Sequence, residues 1–275
     1  MTVATLLALG AACLHVVWNL LVKTSDDRFL AAWGQFVLGG LLFVPVLVVV
    51  GFPGPDVWVL LAVSSCVNAV YVGALVQAYR HGDFSIAYPL ARGGGALVAA
   101  IGGVLLLSDD LGPGAWLAIL VVVAGLLSLV RPGAPTVLLG WAATTAVAIG
   151  TYTTIDIAGA RRSSALGYGI AIMLGAAAAI TVSGLVAGRG GAFVRSFRVQ
   201  WKRYAVGGAC TTLAYSMVLE AGRLAPAGYV AALRESSVVL AALAGWLVLG
   251  ERFGRHRMYS SGVVAAGLAL LVLVR

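Results

Sequence analysis

Two stretches decide the fold: FSIAYPLARGGGALVAAIGGVLLL at 84–107 and PAGYVAALRESSVVLAALAGWLVL at 226–249. Sliding the chain along itself by 142 residues lays Arg92 on Arg234, Gly103 on Gly245, Asp109 on Glu251, Gly112 on Gly254 and Gly125 on Gly267, with no gap. Each arginine stands eight residues after the start of its apolar run, at Phe84 and at Pro226. At helical rise that is roughly 12 Å, close to the middle of a hydrocarbon layer about 30 Å thick. An ionised group at that depth is costly and normally faces a cavity or a partner. Two of them at the meeting of two repeats is the arrangement expected of a secondary transporter.

The rest of the composition agrees with a membrane solvent. Of 275 residues, 61% are hydrophobic and only 10% are charged. Mean hydropathy is +1.01. A soluble domain of this size carries about 25% charged residues. The net charge of +8 could suggest nucleic acid. The basic residues lie in short loops between apolar runs, so loop charge that orients the protein explains them better, and no nucleic-acid partner is expected. Cys13, Cys66 and Cys210 are odd in number and fall inside apolar runs; His15, His81 and His256 are scattered. Neither set suggests a metal site or a disulfide framework, and no cofactor is expected. The first segment has no basic start and reads as a retained helix.

Ten apolar segments can be placed at about 2–23, 29–50, 57–79, 84–107, 114–131, 136–158, 164–187, 203–222, 226–249 and 257–274. Each is long enough to cross a bilayer as a helix, and backbone groups in lipid must be bonded within the segment. The expected fold class is therefore an all-α integral membrane protein of ten transmembrane helices. Residues 1–131 form the first five-helix unit and 132–275 the second. Tandem copies of an odd-numbered unit insert with opposite orientation, so the offset implies two inverted repeats related by an axis in the membrane plane. Breaker-rich turns such as Gly51-Phe52-Pro53-Gly54-Pro55 separate the segments. In the longest loop, 188–204, Phe193, Phe197 and Trp201 recur every four residues among basic ones, which suits either a short helix in the headgroup layer or an irregular basic loop.

Loop charge gives an orientation. Twelve of the eighteen Lys and Arg residues, among them Lys23, Arg28, Arg80, Arg189 and Arg203, lie on one side. Arg161, Arg162, Arg223 and Arg275 lie on the other, with the termini. The positive-inside rule puts the first set in the cytoplasm and both termini outside.

On the first segment His15, Trp18 and Asn19 share a helical face. The run His15-Val-Val-Trp18-Asn19-Leu-Leu-Val-Lys23 resembles the opening of the drug/metabolite transporter superfamily in its EamA-type branch. So do Tyr88-Pro89-Leu-Ala-Arg92 in the fourth segment, and Leu233-Arg234-Glu235-Ser236 and Leu249-Gly250-Glu251-Arg252 in the ninth. The short motifs are moderately specific; their order and spacing across the whole chain carry the resemblance. Ser108-Asp109 departs from the commoner Gly-Glu close. The resemblance implies a central substrate cavity lined by segments one to four and six to nine, with five and ten peripheral. It also implies cytoplasmic termini, against the loop charge.

Polar residues inside the apolar runs are the candidate substrate contacts: His15, Trp18, Asn19, Asn68, Tyr71, Tyr88, Arg92, Tyr152, Asp156, Tyr215, Arg234 and Glu235. Asp156 first, and Glu220 second, are candidates to couple transport to protons. Two readings of the arginines stand. They hold a negatively charged substrate, or they pair permanently with Asp156, Glu220 or Glu235. Arg234 and Glu235 are neighbours whose side chains diverge by about 100°, so a mutual bond is disfavoured. Asp109 and Glu251 end their helices and suit a structural or gating role. Gly93, Gly94 and Gly95 permit close helix approach or a local break.

The expected function is a secondary transporter, exporter or exchanger, moving a small metabolite across the cell membrane as a monomer or homodimer. No nucleotide-binding motif supplies another drive. The alternative is an intramembrane enzyme acting on a lipid or peptide. It is disfavoured because His-Glu-x-x-His is absent, His81-Gly82-Asp83 lies in a loop, and only His15 could serve a membrane-embedded serine.

Overall fold

The computed structural model describes residues 1–81, 84–130, 135–240 and 255–274. Among these every regular element is helical. In chain order they are α1 (Thr2–Lys23), α2 (Arg28–Leu42), α3 (Val44–Val50), α4 (Trp58–Arg80), α5 (Phe84–Leu107), α6 (Pro113–Leu127), α7 (Thr136–Arg162), α8 (Ala165–Val186), α9 (Gly190–Leu224), α10 (Ala227–Arg234) and α11 (Arg255–Leu273). Gly245, Glu251 and Gly254, from three of the five matched pairs, lie outside the described residues.

Local chemistry sets the helix boundaries. The Asp27 carboxylate accepts from the Leu30 amide at 3.1 Å and caps α2. The Ser164 hydroxyl accepts from Gly167 at 3.2 Å and caps α8. Pro113 opens α6, where its missing N–H leaves no gap. Among the described residues, four helices are long and apolar enough to cross a membrane, or five if α2 and α3 count as one span.

Three expected segments take a different form. The run 29–50 is bent by 45° between α2 and α3, where Pro45 in the first turn of α3 cannot donate a hydrogen bond back to α2. The run beginning at 226 breaks: α10 ends at Arg234, Glu235 makes a turn, and helix resumes at 236–240. The segment 190–202 is neither a separate surface helix nor an irregular loop. It is the first part of α9, 35 residues long. Its aromatic period of four faces protein: Phe193 is buried and stacks on Trp33 with ring centroids 4.4 Å apart, and Phe197 meets Trp33 edge-on at 6.3 Å. Trp201 alone of the three is largely exposed.

The exterior is apolar, and several polar side chains lie within an otherwise apolar core. Val48, Val49, Leu105, Leu106 and Val186 are exposed, while Gln35, Asn68, Arg92, Asp156 and Glu235 are buried. An apolar exterior that encloses a few buried polar side chains suits a lipid solvent.

α1 packs on α9, and α4 packs on α7. α2 packs on α8 and α9, and α4 also packs on α8. α5 lies against α7 and α10. α6 and α11 lie together, joined by a Ser128–Ser260 hydroxyl contact of 2.7 Å. Glycine sets the closest approach. A Cβ at Gly208 of α9 would stand 2.5 Å from the Gly39 backbone nitrogen of α2, so the two backbones meet directly. Gly94 and Gly95 act in the same way, seating α5 on Ala146 and Ile149 of α7, and α5 runs unbroken through them.

Candidate functional site

A cavity lies between the two halves of the chain. It is lined by residues from α1, α2, α4, α5, α7, α8, α9 and α10, and by none from α6 or the described part of α11. Its wall includes His15, Trp18, Asn19, Asn68, Tyr71, Tyr88, Arg92, Tyr152, Tyr215 and Arg234. The sequence had pointed to all of these. Helical spacing explains the convergence. His15, Trp18 and Asn19 share one face of α1, and Tyr88 and Arg92 stand one turn apart on α5. Gln35, Phe36, Met173 and Thr211 also line the cavity. Of these, only Gln35 carried a signal, as an amide inside an apolar run.

The contacts order the wall. Asn19 Nδ2 donates to the Tyr88 hydroxyl at 2.8 Å, and His15 Nε2 lies 3.5 Å from the same oxygen. Trp18 meets His15 edge-on, with centroids 4.7 Å apart. Tyr71, Tyr152 and Tyr215 form a run of edge-to-face contacts at 5.6 and 6.2 Å. Asn68 Nδ2 donates to the Ser64 carbonyl at 3.0 Å, one turn back on α4.

The two arginines differ sharply. Arg92 Nε donates to Glu235 Oε2 at 3.2 Å, and its Nη2 lies 2.8 Å from Oε1 without hydrogen-bond alignment. Both side chains are almost fully buried. Arg234 has no such partner among the described residues. Its guanidinium lies 6.0 Å from the Tyr215 ring centroid, within cation–π reach, and it faces the cavity with 8% of its surface exposed.

The carboxylates take other places. Glu235 commits both oxygens to Arg92 and does not line the cavity. Asp156 is fully buried behind the wall, where it accepts hydrogen bonds from Tyr168 at 3.1 Å and from Tyr215. It reaches the cavity only through Tyr215. Glu220 is at the surface, 2.8 Å from Arg223 Nη1, and does not enter the cavity. No group of three potential metal-binding side chains forms among the described residues.

Contacts between helix ends define two opposite faces. On one, the cavity reaches Arg28 and Tyr79, whose side chains stack at 5.4 Å. Arg203 donates to the Leu21 carbonyl at 2.6 Å there, and Arg189 pairs with Asp27. On the other face the helix ends are tied together. Arg161 Nη2 lies 2.7 Å from Asp109 Oδ1, and its Nε donates to Gly222 O at 2.9 Å. It also reaches Leu107 O at 3.4 Å and Ala225 O at 3.3 Å. Asp109 Oδ2 accepts from the Ala227 amide at 2.6 Å, which caps α10. One ion pair thus joins the ends of α5, α7, α9 and α10.

Neither a family model nor a curated protein matches the chain. A solved structure, "Crystal structure of protein", superposes with a TM-score of 0.76 at 16% sequence identity over 99% of each chain. Likeness at that identity shows a shared fold alone.

Proposed function

We propose that the chain is a ten-helix secondary transporter of the drug/metabolite superfamily, EamA type, which moves a small metabolite by alternating access. The observation that carries this reading is a largely apolar cavity with a few polar groups, walled by both halves of the chain, that reaches one face while the Asp109–Arg161 pair ties the opposite face shut. A chamber open to one side only is one of the two states that alternating access requires.

The helix pairings support inverted repeats. Exchange α1 with α7, α2 with α8, α4 with α9, α5 with α10 and α6 with α11. The α1–α9 pairing becomes α7–α4, and α2–α9 becomes α8–α4. The α2–α8, α5–α10 and α6–α11 pairings map onto themselves. A pseudo-two-fold axis in the membrane plane produces this pattern. The cell membrane is the expected location, with the cavity facing the cytoplasm by loop charge.

The test is retention of solutes by proteoliposomes incubated in a mixture of small metabolites, against protein-free vesicles. A transporter enriches at least one solute inside with saturable kinetics. An intramembrane enzyme converts a lipid or peptide and enriches nothing. Enrichment equal to that in empty vesicles, from folded and reconstituted protein, contradicts the reading.

A further inference from the structure

We propose that Arg234 is an anion-binding subsite and that its ligand is a small organic monoanion, a monocarboxylate with an apolar body. This rests on reading the cavity as the ligand chamber.

Charge placement decides between the arginines. Glu235 engages Arg92 at both oxygens, so that pair is neutral as a unit. Arg234 is more than nine-tenths buried, lines the cavity and lies over the face of Tyr215; among the described residues no carboxylate reaches it as an ion pair, and Glu235 acts on it only at longer range than on Arg92. The other nearby carboxylates are engaged elsewhere. Asp156 is held by the Tyr168 and Tyr215 hydroxyls, and Glu220 by Arg223 at the surface. One positive charge is left facing an enclosed space. A buried guanidinium with no counter-ion is costly, and a ligand carboxylate would offset that cost through arginine's planar fork.

The same arithmetic sets the ligand's charge. With Asp156 carrying a proton, a monoanion brings the arginines, Glu235, Asp156 and the ligand to neutrality. A dianion leaves one uncompensated negative charge in a low-dielectric chamber, and a cation adds to a positive one. The wall sets the ligand's body. Around Arg234 stand Tyr215, Tyr152 and Tyr71 in edge-to-face contact, with Trp18 and Tyr88 also on the wall. Such a surface accepts an apolar group and offers few partners to a polar one.

The experiment is a thermal-shift series on purified protein in detergent, because a ligand of the folded state raises its melting temperature. The probes are benzoate and isovalerate, their neutral amides, the dianion phthalate and the cation benzylammonium. The expected result is a larger rise with at least one monoacid than with its amide, with phthalate or with benzylammonium. Arg234→Gln should weaken that acid by about tenfold or more. Glu220→Gln, at the surface and outside the cavity, should keep the preference. The proposal is overturned by equal shifts from acid and amide, by no response to any acid, or by an acid preference that survives Arg234→Gln. If Arg234→Gln does not fold, the wild-type comparison of acid with amide still decides, and Arg234→Lys should retain the preference at reduced affinity. Acid binding without solute flux would leave this site standing and remove transport. Flux without acid preference would do the reverse.

Discussion

Glu235 grips Arg92 across 143 positions of sequence, and in doing so it declines its own neighbour, Arg234. The two arginines that coincide in the repeat therefore do different work. One is part of a neutral strut between α5 and the break after α10; the other faces the cavity as a cation. Symmetry of sequence becomes asymmetry of charge because the second half carries an acid after its arginine and the first half carries Gly93.

The strut predicts strong coupling. Arg92→Gln or Glu235→Gln alone strands a buried charge, and each should cost about 3–5 kcal/mol of stability. The double variant, which leaves two neutral amides side by side, should recover most of the loss. Denaturant titrations in mild detergent check this through the double-mutant cycle. Additive losses would mean that the pair is not an energetic unit.

Asp156 is the acid placed to link proton movement to the cavity, since Tyr215 touches both it and Arg234. Asp156→Asn should abolish the response of solute flux to an imposed pH gradient while leaving exchange under symmetric conditions. Glu220→Gln should behave as wild type, because Glu220 is a surface residue paired with Arg223. Unchanged proton dependence in Asp156→Asn would remove coupling through this residue.

Helix approach predicts a contrast between glycines. Gly208→Ala drives a methyl into the Gly39 backbone, 2.5 Å away, and should cost about 1–3 kcal/mol. At Gly73, also in a helix, a Cβ meets nothing within 4 Å, and Gly73→Ala should stabilise by about 0.5–1 kcal/mol. Melting temperatures of the two variants should move in opposite directions.

Much of this was legible in sequence for a physical reason. A polar residue in an apolar run has few places to go, so His15, Asn68, Arg92 and Arg234 announced an interior site. Partners were not legible, because they are chosen by three-dimensional proximity. Glu235 stood only as one of three acids that could pair with the arginines, and nothing in sequence tied Asp156 to Tyr168 and Tyr215, or Arg161 to Asp109. Composition also misread 190–202, where the basic residues suggested surface while Phe193 was bound for Trp33. The bend before Pro45 and the break at Glu235 escaped a reading based on hydropathy, which senses burial and not backbone continuity.

A chamber that opens to one face at a time should leave a single cavity residue reachable from that face alone. Thr211 lines the cavity, and its hydroxyl serves only its own helix, so Thr211→Cys in a chain freed of Cys13, Cys66 and Cys210 is a mild probe. A membrane-impermeant thiol reagent is added from each side of oriented proteoliposomes. The account predicts labelling from the face of Arg28 and Tyr79, and protection from the face of Asp109 and Arg161. Arg161→Gln removes the charge-assisted tie across the closed face. It should shift the balance between states by about tenfold or more, raising labelling from the second face and lowering it from the first. Equal labelling from both faces in the parent chain, or a pattern that Arg161→Gln leaves untouched, would contradict the account.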